Sequence, residues 1–241
     1  MSEENEKKIE KFCVGQELTH FYDAILDKKN KFEQYFLNLV DWNKKFNLTT
    51  ITSRDEVFEK HFLDSILSME IIPQNASIID IGAGAGFPSF PLKIVRDDLK
   101  IFAVDSVNKK ITFLKDLVDS LSLKNVTCLH ARAEDLAQKD GFRENFDVCV
   151  ARAVASLNTL CEYCLPFVKV GGYFLAYKSQ NLEDELLASK NALKMLGGKL
   201  EKVLQFDLNG AKRYIVAIKK IVETPKKFPR GKNKPRLEPL S

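Results

Sequence analysis

The chain has 241 residues, 45% of them apolar, and a formal net charge of +4. That length suits one α/β domain with an extension, and that apolar fraction can supply a sizeable core. No apolar run approaches the roughly 18 residues of a membrane span, and the charged start Met-Ser-Glu-Glu-Asn-Glu-Lys-Lys lacks a signal peptide's apolar centre, so a cytoplasmic protein is expected.

The first 75 residues read as a helical extension. Leu18, Phe21 and Ile25, then Phe32, Phe36, Leu39 and Val40, recur at helical spacing, interrupted by Lys28-Lys-Asn-Lys31. After Phe46-Asn-Leu-Thr-Thr-Ile-Thr-Ser53 a further helix is expected from about Asp55 to Met69, with Ser53 as its N-cap. Trp42 and Phe46 read as core rather than as platforms for stacked bases. His61 and Asp64 stand three apart on one helix face, with Asn47 upstream, and suit a mutually satisfied pair that anchors the extension. A third ligand is lacking there, so no metal is expected.

From Ala76 the texture changes to strands alternating with helices. Strands are expected at Ser77–Ile81, Lys100–Asp105, Val126–His130, Phe146–Ala151 and Tyr173–Tyr177, the last preceded by a turn at Gly171-Gly172. Helices are expected at Pro88–Val95, Lys109–Ser120, Glu134–Gln138, Ser156–Val168 and Leu182–Leu196, with Gly197-Gly198 closing the last. Lys199–Asp207 and Arg213–Lys219 look like an antiparallel hairpin. The expected fold is therefore α/β, a doubly wound, mostly parallel sheet with a terminal antiparallel hairpin and an N-terminal helical extension. Its parts are the extension 1–75, a cofactor-binding domain 76–222 and a basic tail 223–241, the tail being loop or extended chain.

The run Ile78-Ile-Asp-Ile-Gly-Ala-Gly-Ala-Gly-Phe-Pro-Ser-Phe-Pro-Leu-Lys-Ile-Val95 is the most informative segment. It reads as a strand, a turn of three glycines (Gly82, Gly84, Gly86) and a helix opened by Pro88, the unit that binds nucleoside cofactors at the carboxyl edge of doubly wound sheets. A dinucleotide fingerprint would be Gly-x-Gly-x-x-Gly, whereas here the spacing is Gly-x-Gly-x-Gly and the bulky Phe87 follows. No Gly-Lys-Ser/Thr is present, which excludes a P-loop. The turn carries no Lys or Arg to meet a pyrophosphate, and Lys93 lies well into the helix. A cofactor without phosphates and with a cationic centre, S-adenosylmethionine, fits better than a dinucleotide; a merely tight turn is the plainer alternative.

Neighbouring strand ends complete the pocket. Asp105 suits two hydrogen bonds to ribose hydroxyls, or else the capping of the helix after it. Arg132-Ala-Glu134 follows the third strand, where an acid or a backbone amide can meet the adenine edge. Arg152 follows the fourth strand in apolar company, either at the mouth where substrate meets the methionine end or in a structural ion pair. The Asp/Asn-Pro-Pro-aromatic motif of exocyclic-amine methylation is absent. Cys149 lacks the neighbouring Pro of a carbon-methylating nucleophile.

The five cysteines are scattered, an odd number that suits a reducing compartment, and Cys161-Glu-Tyr-Cys164 falls in an expected helix as structural residues. Residues 219–236 hold eight Lys/Arg against one acid, a charge of +7 that leaves −3 for the rest of the chain beneath the total of +4. Such a tail suits nucleic-acid phosphates or a solvated end.

Together these residues resemble a known family. Asn47-Leu-Thr, Lys60-His-Phe-Leu-Asp-Ser65, Asp80-Ile-Gly-Ala-Gly-Ala-Gly-Phe-Pro88, Asp105-Ser-x-x-Lys-Lys110, Arg132-Ala-Glu134, Ala151-Arg-Ala-x-Ala-Ser-Leu157 and Arg213-Tyr-Ile-Val216 occur in the order seen in RsmG, also called GidB, the bacterial small-subunit ribosomal RNA guanine-N7 methyltransferases. The resemblance runs from about Leu39 to the end. It implies the Rossmann-like methyltransferase fold, S-adenosylmethionine as cofactor, and transfer of its methyl group to N7 of one guanine of 16S ribosomal RNA, guanine-527 in the usual numbering. It also implies a cofactor site lined by Gly82, Gly84, Phe87, Asp105, Ser106, Ala133, Glu134 and Arg152. His61 and Asn47 would stand with Arg152 at the RNA-facing mouth. The partners implied are 16S ribosomal RNA or the small ribosomal subunit, with no membrane and no metal, and the chain acting as a monomer. The loop departs from the family in reading Pro-Ser-Phe-Pro, and the tail in reading Gly-Lys-Asn-Lys-Pro after Arg230. A non-catalytic RNA- or ribosome-binding protein on the same fold and a small-molecule methyltransferase are the rival readings.

Overall fold

The computed structural model describes residues 13–15, 17–152, 155–179 and 182–240, which group into two compact units: Leu18–Ala133, and a second made of the strand β1 (Cys13–Gly15) with the chain from Glu134 onward. The units therefore do not part at residue 75, where the sequence texture changes. The helical extension packs into the first unit, because its aromatic residues need a surface to cover.

In the first unit, α1 (Thr19–Asp27) and α2 (Lys29–Asn43) bury Phe21, Ile25, Phe32, Tyr35 and Leu39. The helix expected from Asp55 to Met69 is interrupted. It runs as α3 (Arg54–Val57), a π-helical turn (Phe58–Leu63) and α4 (Asp64–Ile66). The rings of Phe32, Phe58 and Phe62 pack together at 4.9–6.4 Å between centroids. Three parallel strands follow at the expected residues: β2 (Ser77–Ile81), β3 (Lys100–Asp105) and β4 (Val126–His130), with β3 central. The apolar side chains of β2 and β3 are largely buried, with α5 (Ser89–Val95) and α6 (Asn108–Ser120) packed in the same unit, while those of the edge strand β4 are half-buried. Helix α2 lies on α5 and α6, and its Trp42 Nε1 donates to Asp116 Oδ2 at 2.8 Å. Trp42 and Phe46 are packing residues, as expected, but only half-buried, with Trp42 edge-on to Phe113 and Phe46 beneath the Lys109 ammonium.

The second unit opens with the short α7 (Ala133–Leu136) and β5 (Phe146–Arg152), then α8 (Leu157–Cys164) and a 3-10 turn (Leu165–Phe167). The chain continues through β6 (Val168–Lys178), α9 (Leu182–Ala188), α10 (Lys190–Leu196), β7 (Gly198–Leu208), β8 (Ala211–Lys220) and α11 (Lys234–Leu237). The strand order is β5–β6–β8–β7–β1, and only β8 is antiparallel to its neighbours. Strand β1 is not foreseen by the helical texture of the N-terminal region. The hairpin of β7 and β8 closes on Asn209-Gly210, both at positive φ (50° and 81°), the geometry whose twist matches paired strands.

Three local readings are corrected here. Gly171-Gly172 is not a turn before the fifth strand: β6 begins at Val168, and the register jumps from Phe146↔Val168 to Val148↔Tyr173, so the glycines form a bulge. An added Cβ at Gly172 would stand 2.5 Å from the Asp147 carbonyl oxygen, which is why a side chain does not fit there. The expected helix Leu182–Leu196 breaks at Ser189, whose Oγ donates to the Glu185 carbonyl at 2.6 Å instead of leaving the turn undisturbed. The chain end is not a free basic tail. Lys220 is fully buried, its Nζ donating to Leu165 O at 2.7 Å and pairing with Glu144 at 2.9 Å, and burial pushes its pKa down. Arg230 forms a bidentate pair with Glu162, Nη2 to Oε2 at 2.7 Å and Nε to Oε1 at 2.9 Å.

All of α8 is buried, Cys161 and Cys164 included, and burial pushes the Cys161 thiol far up, which agrees with their structural reading. The same burial leaves Glu162 without solvent, so the chain end folds across it: Arg143 donates to the carbonyls of Thr224, Pro225 and Phe228, and Tyr163 to Asn233. Loss of Arg230 strands a buried carboxylate, while loss of the Glu162 charge leaves an Arg that solvent can reach. Arg230→Ala is therefore expected to cost about 3–5 kcal/mol and Glu162→Gln distinctly less, measured by urea denaturation. Equal costs would mean that Glu162 finds other compensation.

Candidate functional site

Strand β2 delivers the glycine turn. Gly82, Gly84 and Gly86 lie at φ +76°, +58° and +91°, conformations open to glycine at little cost. The amides of Gly82 and Ala83 both donate to the Val104 carbonyl of β3, at 2.9 and 3.0 Å, which ties the turn to the next strand. The glycines have different jobs. A Cβ on Gly86 would lie 2.5 Å from the Tyr35 hydroxyl, so this position must stay bare for a close approach from α2. A Cβ on Gly84 would meet only the Gly82 oxygen at 3.8 Å, so it faces open space. Gly82 and Gly84 are half-buried and Ala83, Ala85 and Gly86 buried, so the turn shows backbone outward at alternate positions.

Two buried carboxylates brace the turn. Asp80 Oδ2 accepts from Ser89 Oγ at 2.6 Å and from Ser89 N at 3.3 Å, closing strand, turn and helix α5 into one unit. Asp105, 4% exposed, accepts from Gly84 N at 3.0 Å through Oδ2 and from Val107 N at 2.9 Å through Oδ1, with Lys110 Nζ at 3.4 Å. Asp105 does not cap α6, whose N-cap is Val107 without a side-chain cap bond; it holds the Val107 amide at the entry to that helix and, in addition, the glycine turn. Oδ2 already takes two donors, while Oδ1 takes one and keeps acceptor capacity for a hydroxyl donor.

Phe87 is the hub of an aromatic stack. Its ring lies 5.5 Å from Tyr35 at 15° and 4.6 Å from His61 at 25°. His61, half-buried on the π-helical turn, has Nε2 2.8 Å from Thr49 Oγ1. The Thr49 loop is held in turn by Asn43, whose Oδ1 accepts from the amides of Leu48 and Thr49 at 2.8 and 3.0 Å. Asn47 is exposed on that loop, and Asp64 is buried below His61's level of exposure at 7%.

The first unit thus brings Gly82, Gly84, Phe87, Asp105 and His61 together. Ser106 is exposed, its carbonyl 3.0 Å from His130 Nε2, and Ala133 is half-buried at the start of α7. Glu134 and Arg152 belong to the second unit. Glu134 is buried on α7, and Arg152 is half-buried at the carboxyl end of β5, in register with Tyr177. Ala153 and Val154 of the Arg152 motif lie outside the described residues. The chain beyond them is anchored by Lys178 Nζ on Ala155 O at 2.9 Å and by Glu185 Oε2 on Leu157 N at 2.6 Å. Tyr35 and Asn43 stand in none of the motifs, and Thr49 stands in Asn47-Leu-Thr with no sign of its bond to His61; only Tyr35's helical spacing from Phe32 and Leu39 signals burial.

The turn fits a phosphate-free nucleoside cofactor. Lys93 is turned away from it, with Nζ donating to Asp97 O at 2.5 Å and Leu99 O at 2.7 Å, and burial lowers its pKa. Backbone without side chains at Gly82 and Gly84, an acidic acceptor and an aromatic wall are what the turn offers.

The family model for rRNA small subunit methyltransferase G (GidB) matches residues 28–216. Proteins named ribosomal RNA small subunit methyltransferase G are similar over most of the chain. The one from Clostridium kluyveri is 48% identical over 85% of this chain and 87% of its own length, and the one from Lactobacillus helveticus 47% identical over 96% and 98%. The solved structure of a SAM-dependent methyltransferase from Aquifex aeolicus is similar with a TM-score of 0.51 at 17% identity, covering 68% of this chain and 92% of that one. A SAM-dependent O-methyltransferase from Thermotoga maritima matches with a TM-score of 0.50 at 16% identity, over 78% and 72%. The chain belongs to the rRNA small subunit methyltransferase G family and has the Rossmann-like methyltransferase fold.

The last two glycines of the turn separate by experiment. Gly84→Ala is expected to cost about 1–2 kcal/mol from positive φ alone. Gly86→Ala adds the collision with Tyr35 and is expected to cost clearly more in urea denaturation; equal losses would contradict the close approach of α2.

Proposed function

We propose that this member of the family transfers the methyl group of S-adenosylmethionine to N7 of a single guanine, guanine-527 in the usual numbering, of 16S ribosomal RNA in the cytoplasm. The observation that carries the cofactor reading is the glycine turn whose Gly84 amide is held by Asp105, with Lys93 of the helix that follows turned away from it. The family supplies the substrate.

When bound, the cofactor supplies an electrophilic methyl on a sulfonium, which the N7 lone pair takes in line as the S–CH3 bond breaks. Guanine N7 is an acceptor without a proton, so no residue need act as a base. The chain's own task is then to bind, orient and exclude water, and near-attack positioning supplies much of such acceleration. In this reading Asp105 accepts the ribose hydroxyls. Gly82, Gly84 and Phe87 line the methionine and ribose side, while Ser106, Ala133 and Glu134 meet the adenine. Arg152, His61 and Asn47 position the RNA. The support for His61 is its fixed ring, stacked on Phe87 and held by Thr49, and for Asn47 its exposure on the same loop.

Of the eight cations of the basic segment, Lys220 and Arg230 serve the fold and Lys219 pairs with Glu201 at 3.6 Å, which leaves the exposed Lys226, Lys227, Lys232, Lys234 and Arg236 for RNA phosphates.

Borohydride/aniline cleavage of 16S ribosomal RNA, from cells with and without the gene, is expected to show an N7-methylguanine stop only with it. An unchanged stop would overturn the assignment. Arg152→Ala is expected to lower kcat/KM for RNA at least about tenfold, as loss of a charged contact does, without unfolding the chain. Changing the five exposed cations to Gln should shallow the salt dependence of RNA binding by up to about 4 in log–log slope; an unchanged slope would exclude the chain end from the phosphate contacts.

A further inference from the structure

The bond that joins the helical extension to the glycine turn belongs to none of the motifs above. Tyr35 of α2 is fully buried, and its hydroxyl donates to the Ala85 carbonyl at 2.5 Å. Its ring is parallel to Phe87 and packs on Phe62 at 5.0 Å and edge-on to Phe90 at 6.4 Å. The same hydroxyl occupies the space that a side chain at Gly86 would need.

Helix α2 is itself fixed independently of the turn. Gln34 Nε2 donates to Ser120 O at 2.6 Å, Asn38 Nδ2 to Ser120 Oγ at 3.2 Å, and Trp42 Nε1 to Asp116 Oδ2 at 2.8 Å, all on α6. Tyr35 thus stands on a rigid support and reaches a segment that is intrinsically loose. Glycine loses more conformational freedom on ordering than any other residue, and three alternate along this turn. Ala85 is 4% exposed, so its carbonyl relies on a protein donor. The same peptide is held on its other side by Gly86 N, which donates to Ala83 O at 2.7 Å, so loss of the Tyr35 donor leaves it on one bond instead of two and loosens the Gly84 amide on Asp105.

We infer that Tyr35 is a positioning residue for the cofactor loop, pre-setting the turn so that cofactor binding and the packing of α2 are thermodynamically coupled. This rests on the S-adenosylmethionine reading of the turn. Pre-organisation raises affinity by removing ordering cost at the moment of binding. Coupling is reciprocal, so the cofactor must tighten α2 as much as α2 favours the cofactor.

Tyr35→Phe keeps the ring and removes only the hydroxyl. Its affinity for S-adenosylmethionine by calorimetry is expected to fall about five- to tenfold, the order of one lost hydrogen bond. KM for the cofactor should rise by the same factor, with kcat at saturation and KM for RNA unchanged. A purely structural loss would lower the active fraction, and so kcat, instead. Trp42→Phe, which cuts a bond of α2 to α6 rather than to the turn, should lower the melting temperature and leave cofactor affinity as it is. Tyr35→Phe binding the cofactor as tightly as the native chain would overturn the inference. Should that variant not fold, hydrogen exchange on the native chain decides: added cofactor is expected to protect the amides of α2 around Tyr35. Protection of the turn with none in α2 would refute the coupling. A native chain that binds no S-adenosylmethionine would instead remove the cofactor reading itself.

Discussion

The first unit depends on a buried carboxylate that has to be satisfied. Asp105 ends β3 almost without solvent, and a charge there persists only with donors around it. Its donors are the amide of Gly84, the amide of Val107 and the Lys110 ammonium. A turn of alternating glycines and alanines has no long side chain with which to hold itself. Its shape is imposed from outside, by Asp105 on one side, by the Val104 carbonyl beneath and by Tyr35 on the other. The parallel register that places Ile81 beside Val104 brings the turn within reach of all of this.

The second unit follows the same logic in another place. Helix α8 is apolar enough to be buried whole, and burial carries Glu162 inside with it. The compensating charge comes from Arg230, 68 residues further on, and it brings the chain end down onto the helix. Ion pairing to a carboxylate accounts for Arg230, and burial beside Glu144 accounts for Lys220. A basic segment read as one electrostatic object is therefore two: cations that complete the core and cations that face solvent. The division follows burial, not position along the chain.

The chemistry proposed for the site suits this construction. A methyl transfer to a lone pair needs geometry more than proton transfer. The residues around the turn form a frame rather than an acid–base dyad: one acceptor carboxylate, glycine backbone without side chains, and the stack of Tyr35, Phe87 and His61. The π-helical turn that carries His61 gives that ring its place against Phe87, and such turns interrupt helices often at functional positions.

Much of this was legible along the chain. The strands β2 and β3 occupy their expected residues because short runs of Ile, Val, Phe and Ala have few other ways to be buried, and the edge strand β4, only partly covered, pairs beside β3 in register. The glycine turn was legible because positive φ and close approach demand glycine, and the company of Asp105, Arg132-Ala-Glu134 and Arg152 identified the family. Other features depend on partners distant in sequence. Local pattern could not distinguish the Gly171-Gly172 bulge from a turn, since only the strand opposite shows the slip in register. It could not show the π-helical turn or the break at Ser189, because both keep nearly helical spacing. It could not find Tyr35, whose partner Ala85 lies 50 residues away, nor Thr49 as the partner of His61. Sequence alone determined most element types between Ala76 and the terminal hairpin, the turn and the family, because these rest on local sterics and periodicity. Tertiary structure alone decided which polar groups hold the turn and which cations are left to solvent, because satisfying a buried polar group depends on what packing brings beside it.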